Sequence, residues 1–202
     1  NTTYTNDEQW QKIADDFQYF GGIYGNSYIT VTDELHITDA VEANETAGGG
    51  VFITAPEVAK DKAAVKVKTH VENEGKESKE TILLTEMIDE NGDVVVSKED
   101  KLSIRNGEKK YFEQLLEVKN PRLWAPDTPE LYTVRSTVKA DGVVKDVIET
   151  TYGIRKVEWK RDGLYINGVK TDAEGANLHA ETYMLGNAIC GESAKAGRKA
   201  SL

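Results

Sequence analysis

The sequence predicts an all-β fold whose main part is an antiparallel sandwich of about seven strands. Three observations predict it. Stretches rich in β-branched and aromatic residues recur roughly every 8–15 residues from Ala40 to Ile154. Tight-turn dipeptides, Asn-Gly and Asp-Gly, stand between several of these stretches. Apolar residues at helical spacing are confined to a short N-terminal stretch, so little of the chain is predicted to be helical.

The N-terminal part of the chain predicts a short helix followed by a strand. Apolar residues between positions 10 and 17 recur at helical spacing, and Asn6 with Gln9 forms a capping box at the start of that helix. A pair of glycines at positions 21–22 ends the helix. Residues 23–32 are rich in β-branched and aromatic side chains, and they predict a strand.

The middle of the chain predicts strand after strand. Residues 65–71 alternate apolar and polar side chains, which is the pattern of a half-buried strand. Residues 81–88 are apolar on both faces apart from Glu86, and this favours a central position in a sheet. Further strands are predicted at residues 94–96, 111–118, 131–140 and 143–152.

Turn residues place the hairpins between these strands. Asn91-Gly92 and Asp141-Gly142 each join two predicted strands, because such residues tolerate a positive φ. Asn167-Gly168 predicts a small hairpin over residues 164–169. The glycine run at residues 48–50 lacks the lysine and the following helix of a phosphate-binding loop, so it predicts a flexible joint into the sandwich.

Length and charge exclude several classes of function. A chain of 202 residues is too short for a complete (β/α)₈ barrel, which needs about 250 residues. Its 25 Lys and Arg against 35 Asp and Glu give a net charge of −10, which argues against binding nucleic acid or anionic lipid. No stretch approaches the length of an apolar membrane span, so none is expected. The single cysteine, Cys190, excludes an intrachain disulfide.

The spacing of the reactive side chains along the sequence does not by itself identify a metal or catalytic site. The three histidines, His36, His70 and His179, are not at metal-ligand spacing, and no metal site is predicted. His70 falls on the polar face of its strand and is predicted to be solvated, whereas His36 is predicted to be structural. Acidic residues are so abundant that their spacing does not single out a catalytic pair.

A proline-rich loop is the most distinctive segment of the sequence. Pro121, Pro126 and Pro129 hold residues 120–130 in an extended path across one end of the predicted sandwich. Trp124 in this loop is predicted to fill the bottom of the core, and stacking on a sugar ring is the alternative that its side chain leaves open.

The same loop carries a resemblance to a known family. Residues 120–132 closely resemble a loop of family 2 glycoside hydrolases, in the sandwich between the sugar-binding domain and the barrel of those enzymes. Residues 20–24 resemble the segment before the last jelly-roll strand, residues 152–155 the end of the sandwich, and residues 164–168 and 175–179 the start of the barrel. These motifs occur in the family's order, and the similarity is best to the β-galactosidase branch.

The resemblance implies three parts and a role. Residues 1–40 are expected to be the end of a sugar-binding jelly roll, residues 41–156 an immunoglobulin-like β-sandwich, and residues 157–202 a linker with the first hairpin and strand of a truncated barrel. The family is retaining and uses two barrel glutamates, an acid/base and a nucleophile. This chain stops before them. It is therefore expected to be the scaffold of an enzyme that hydrolyses terminal β-galactosides, and to be inactive by itself.

The resemblance also implies roles for individual residues. Sugar contacts are expected at Asp16, Asn177 and His179, and structural roles at Trp124, Pro126 and Tyr132. No catalytic residue, metal ligand or cofactor is expected in this chain, although family members often bind magnesium or sodium in the barrel. The expected partner is the carbohydrate substrate of the full-length enzyme, and the expected location is the bacterial cytoplasm or periplasm.

A stand-alone immunoglobulin-like binding or adhesion module is the alternative. Such a module would be complete at both ends, whereas residues 23–32 and 164–179 resemble parts of neighbouring domains and favour the fragment. A strand that has lost its sheet exposes an unpaired edge, so self-association through the flanking strands is expected.

Overall fold

The computed structural model describes residues 27–173 and residue 175, and these residues contain strands and no helix. All strands lie in one compact unit, Val31–Ala173. The strands are β1 (Leu35–Ile37), β2 (Val51–Val58), β3 (Lys62–Asn73), β4 (Lys79–Ile88), β5 (Val94–Ile104), β6 (Lys109–Lys119), β7 (Tyr132–Ala140), β8 (Val143–Tyr152), β9 (Val157–Lys160), β10 (Gly163–Ile166) and β11 (Val169–Thr171).

The first eight strands form an antiparallel sandwich of two sheets. In one sheet, β3 pairs along one edge with β6 and along the other with β2 and then β1. The second sheet has the order β5-β4-β7-β8, which places β4 centrally as predicted. Because β1 and β2 share one edge of β3, the sandwich has seven strand positions. The predicted all-β, immunoglobulin-like sandwich is confirmed.

The core consists of two apolar clusters separated by a buried polar layer. One cluster contains Val67 and Met87, and the other contains Val71 and Leu83, so each cluster draws on both sheets. Between the two clusters, on the inward faces of β3, β4, β6 and β7, lie Thr69, Thr85, Gln114 and Ser136, all fully buried. The Gln114 side-chain amide donates to the carbonyl oxygens of Leu83 and Lys98 across the sandwich, at 3.3 Å each. That amide therefore links the two sheets.

The predicted hairpins are present, with one difference in turn type. Asp141-Gly142 has positive φ at both residues (52° and 76°), as has Asn167-Gly168 (51° and 81°). In Asn91-Gly92 only the glycine does, at 88°. There the Asp89 carboxylate accepts the N–H groups of Asn91 and Asp93 at 2.9 and 3.0 Å, which closes a longer turn. The Asn91-Gly92 dipeptide predicts a two-residue turn, whereas the observed turn is longer and includes the side chain of Asp89.

Two predictions for the N-terminal part differ from the structure. Residues 27–33 are not a strand, and Tyr28 and Ile29 are 86% and 92% exposed. The glycine run is packed rather than flexible, because Gly50 donates its N–H to Thr38 Oγ1 at 3.0 Å and accepts the His70 N–H at 2.9 Å. The predicted helix, its capping box and residues 23–26 lie outside the described residues.

His70 is buried, and the prediction that it is solvated is wrong. Its side chain is 3% exposed, because residues 38–50 cover the outer face of β3 at this point. The ring Nδ1 lies 3.0 Å from Thr38 Oγ1, and the ring stacks on Tyr111 with 4.2 Å between centroids. Burial lowers the pKa of His70, because the charged imidazolium would lose its hydration.

The last three strands form a small separate sheet of order β11-β10-β9. Its registers pair Leu164 with Trp159 on one side and with Thr171 on the other. This sheet follows the sandwich directly along the chain. The residues that connect β8 to β9 therefore link the small sheet to the sandwich. No helix in the described part of the chain is long and apolar enough to cross a membrane.

Candidate functional site

The predicted site residues fall into two groups. Asp16, Asn177 and His179 lie outside the described residues, so their predicted sugar contacts stay predictions. The three predicted structural residues lie at one end of the sandwich, where the chain passes into the small sheet. We call this region the joint. It comprises residues 120–132 before and at the start of β7, residues 153–156 between β8 and β9, and Asn167 in the β10–β11 turn.

Tyr132 fixes the beginning of the proline loop. Its side chain is buried in the first apolar cluster, and its hydroxyl oxygen accepts the backbone N–H of Arg122 at 2.9 Å. The Arg122 guanidinium pairs with Glu90 and, at 3.2 Å, with Glu130. Because the hydroxyl reaches a backbone ten residues upstream, it holds the two ends of the loop together.

Trp124 lies over the chain that leaves the sandwich rather than in the core, where it was predicted. Its backbone N–H donates to the Ile154 carbonyl at 2.9 Å. A Cβ added at Gly153 would lie 2.9 Å from the Trp124 side chain, so only glycine allows this approach. The Arg155 guanidinium lies 4.9 Å from the ring centroid, within range of a cation–π contact. The indole is half-buried between these groups.

Pro126 is exposed at the tip of the same loop. On either side of the tip, Ala125 and Thr128 exchange two backbone hydrogen bonds of 3.0 and 3.1 Å. A proline suits this closed tip for two reasons. Its φ is fixed near the value that turns use, and it has no N–H that the turn would leave unpaired. Its contribution is therefore to the shape of the loop.

Asn167 connects the small sheet to the joint. Its side-chain amide donates to the Trp124 carbonyl at 2.9 Å, and its Oδ1 accepts the Lys156 N–H at 2.9 Å. Its own N–H donates to the Lys156 carbonyl, also at 2.9 Å. Sequence reasoning identified Asn167 as a turn residue and missed these contacts, since they join it to residues 43 and 11 positions away along the chain.

Five of the described carboxylates have a pKa that is shifted by structural contacts. The pKa is lowered for Asp33, Asp39, Asp89 and Glu108, chiefly by backbone N–H donors, and for Glu113 by Lys66. A catalytic acid needs the opposite shift, a raised pKa, to be protonated near neutral pH. Within residues 27–173, no group of three potential His, Cys, Asp or Glu ligands is placed to hold a metal.

Two surface grooves on the sandwich are small. One, of about 140 Å³, is lined by acidic side chains with His36 and Lys109, and the other, of about 240 Å³, by Phe52 with Lys66 and Lys68. Small-molecule sites usually enclose about 300–1,000 Å³. The joint, with its interlocking hydrogen bonds, is the candidate functional feature among the described residues.

The chain is similar to known proteins over most of its length. Residues 50–155, just over half of the chain, match the model of the glycosyl hydrolases family 2. A β-glucuronidase of Formosa agariphila is 33% identical over 77% of this chain, and a β-galactosidase of Thermoanaerobacter pseudethanolicus is 30% identical over 86%. The matched segments make up 16% and 21% of those two proteins, so the chain spans about a fifth of their length or less.

Among solved structures, members of the same family are similar to this chain in fold. The structure of a glycosyl hydrolase family 2 member from Bacteroides cellulosilyticus superposes with a TM-score of 0.73 and 28% identity. The superposition covers 83% of this chain and 21% of that protein.

Proposed function

Because the chain belongs to glycosyl hydrolase family 2, we propose that it is the central segment of a retaining glycosidase and serves as its scaffold. The scaffold would hold the part that binds the sugar and the catalytic barrel in a fixed relation. The match over residues 50–155 favours this segment over a stand-alone adhesion module, since it coincides with the sandwich.

The observation that carries the proposal is the joint. A spacer that positions two halves of a pocket must resist bending, because a misplacement of about 1 Å can cost two orders of magnitude in rate. Trp124, Asn167 and Lys156 form a continuous chain of hydrogen bonds from the proline loop to the small sheet. Tyr132 fixes the other end of that loop to the core. These contacts are what a rigid connection requires.

The catalytic glutamates would come from polypeptide outside this chain. Five of the described carboxylates have a lowered pKa, which is the opposite of the shift that a general acid needs, and this supports the proposal. In the assembled enzyme Asp16, Asn177 and His179 would contact the sugar, since a carboxylate, an amide and an imidazole all form directional hydrogen bonds with hydroxyl groups.

The proposed substrate is a terminal β-galactoside. The resemblance of residues 120–132 to the β-galactosidase branch and the 30% identical β-galactosidase both favour it. A β-glucuronide is the second candidate, because the 33% identical relative is a β-glucuronidase.

Turnover of chromogenic substrates tests the proposal. The purified chain is incubated with 4-nitrophenyl β-D-galactoside and 4-nitrophenyl β-D-glucuronide, with the T. pseudethanolicus β-galactosidase as a positive control. We expect no nitrophenol release above the buffer blank from this chain. Release that scales with the concentration of the chain would show that it holds a complete catalytic site, and the scaffold role would be wrong.

A further inference from the structure

A layer of polar side chains crosses the otherwise apolar core of the sandwich. It consists of one fully buried residue from each of four strands, namely Thr69 on β3, Thr85 on β4, Gln114 on β6 and Ser136 on β7. In each strand this residue stands between a member of one apolar cluster and a member of the other. The polar layer is therefore shielded from solvent on both sides.

Four hydrogen-bonding atoms of the polar layer have no partner within residues 27–173. They are Thr69 Oγ1, Thr85 Oγ1, Gln114 Oε1 and Ser136 Oγ. The nitrogen of the same Gln114 amide is engaged, because it donates to two backbone carbonyl oxygens of the second sheet at 3.3 Å each. A buried polar atom without a partner destabilises the folded state, and native cores almost always supply a protein group or an ordered water. Four such atoms in one layer indicate a shared partner.

The strand registers bring these four side chains together. Thr85 on β4 lies directly opposite Ser136 on β7. The Gln114 amide crosses from the other sheet to the carbonyl oxygen of Lys98, and Lys98 is the register partner of Thr85. Thr69 on β3 is the diagonal neighbour of Gln114 on β6. Directly opposite residues have Cβ atoms about 5 Å apart, a separation that one water molecule between their side chains spans.

We propose that the polar layer is an internal water-binding site, in which at least one trapped water bridges the two sheets. Gln114 Oε1 only accepts hydrogen bonds, whereas each hydroxyl group both donates and accepts. A single water can donate to Oε1 and to one hydroxyl oxygen while it accepts from the other two hydroxyl groups. A buried water usually makes about three hydrogen bonds to polar groups that lack other partners, and this layer offers four.

A dry layer would require direct bonds between these side chains. No such bond is present within the part of the chain that the structure describes, although Thr85 and Ser136 face each other across β4 and β7. A threonine in a strand has few favourable χ1 rotamers, so its hydroxyl cannot turn towards a neighbour without displacing its packed methyl group. These constraints favour a water over direct contact.

The water would serve as a polar cross-link in the middle of the core. If one sheet slid by two residues against the other, its polar side chains would face an apolar cluster and lose the water. Such misplaced polar groups would be costly in a low-dielectric interior, so the layer would fix how the two sheets face each other. This site would exist whether or not the chain serves as a scaffold.

Magnetic relaxation dispersion of water deuterons tests the proposal, because it detects waters that stay bound for longer than the protein takes to tumble. The purified chain is compared with a variant that combines Thr69→Val, Thr85→Val and Ser136→Ala. We expect a dispersion from trapped water in the unchanged chain and the loss of at least one water from it in the variant. The matched control is Thr81→Val. Thr81 is fully buried on the same face of β4, but its hydroxyl already donates to the Lys79 carbonyl at 3.3 Å, so the dispersion should stay unchanged.

Thermal unfolding of the single variant Thr85→Val gives a second readout with a sign. We expect its Tm to fall by about 2 °C or more, because the bridging water loses one of its partners. A hydroxyl that is unpaired in a dry core would give the opposite result, since the valine methyl group would pack there without the cost of burying a polar atom.

The outcomes decide as follows. A dispersion that is absent from the unchanged chain, or that persists in the triple variant, would overturn the water site. So would a raised Tm in Thr85→Val, whereas a lowered Tm without trapped water would mean direct bonds between the side chains and would overturn it as well. If the triple variant does not fold, NMR cross-relaxation between water and the Gln114 side-chain amide protons in the unchanged chain replaces it. A cross-peak with the sign of a long-lived contact supports the site, and its absence contradicts it.

Discussion

The sandwich and the small sheet use the same alternation of apolar and polar residues with opposite results. In the sandwich, inward side chains such as Val67 and Leu83 are fully buried, because a second sheet lies opposite. In the small sheet, Trp159 and Val169 occupy equivalent alternating positions and are mostly exposed. The difference lies in the presence of a covering layer. The sandwich thus buries its own apolar faces, whereas the small sheet leaves much of its apolar face exposed among the described residues.

The largest expected difference between the two regions comes from the same substitution made in each. Val67→Ala removes buried methyl groups and leaves a cavity, and we expect it to lower the free energy of unfolding by about 2–3 kcal/mol. Val169→Ala removes the same atoms from a side chain that is 67% exposed, and we expect less than about 0.5 kcal/mol. Urea unfolding of the isolated chain measures both. Equal losses would mean that Val169 is packed in solution, contrary to the comparison.

A smaller effect is expected from removing one hydroxyl in each region. Tyr132→Phe leaves the Arg122 N–H without its buried acceptor, and we expect a loss of about 1–2 kcal/mol. The control, Tyr165→Phe, removes an exposed hydrogen bond to Asp162, and we expect a loss below about 0.5 kcal/mol because water replaces the partner. Thermal unfolding of both variants checks the pair. A neutral Tyr132→Phe would show that this hydroxyl does not hold the proline loop.

The smallest effect is a pH dependence that we expect from His70 in the sandwich. Burial holds the pKa of His70 below its ordinary 6.5 in the folded state, with the cations of Lys109 and Lys68 acting in the same sense and Glu45 and Glu72 opposing them. The unfolded chain therefore binds a proton first as the pH falls. Stability from this group is fully present above pH 6.5 and declines below it.

Urea midpoints between pH 7.5 and 5 measure this dependence. We expect His70→Gln to flatten it, because glutamine does not titrate. The carboxylates with lowered pKa values act only at more acidic pH, since their shifts run downward from 3.8 or 4.5. If the urea midpoint depends on pH equally in the unchanged chain and in the His70→Gln variant, a group other than His70 is responsible.

Much of the fold could be predicted because strand alternation and turn chemistry are local. Each of the six long strands from β3 to β8 overlaps a stretch that the sequence predicts as a strand, although only the first three residues of β5 were predicted. Asp141-Gly142 and Asn167-Gly168 adopt the positive φ that their residue types favour. The predicted strand at residues 23–32 is the exception, since its described part has no partner strand among the described residues. A strand propensity does not form a strand without a sheet to pair with.

The joint was only partly predictable. The proline loop identifies Trp124 and Tyr132 as candidate structural residues. Its motif resembles that of family 2 glycoside hydrolases, and the family match confirms this resemblance. The position of Trp124 over Gly153 and the hydrogen bonds of Asn167 were missed, because they depend on segments brought together only in the folded chain.

By itself, then, the sequence determined that the chain is all-β, where most of its strands and hairpins lie, and which family it resembles. These are properties of residue type, period and order along the chain. Only the tertiary structure decided what covers each face. Alternation places His70 on the outer face of β3, but residues 38–50 bury it there. It places Trp159 on an apolar face, yet no opposite layer within the described residues shields it. A residue pattern specifies which side chains share a face, whereas burial depends on the rest of the fold.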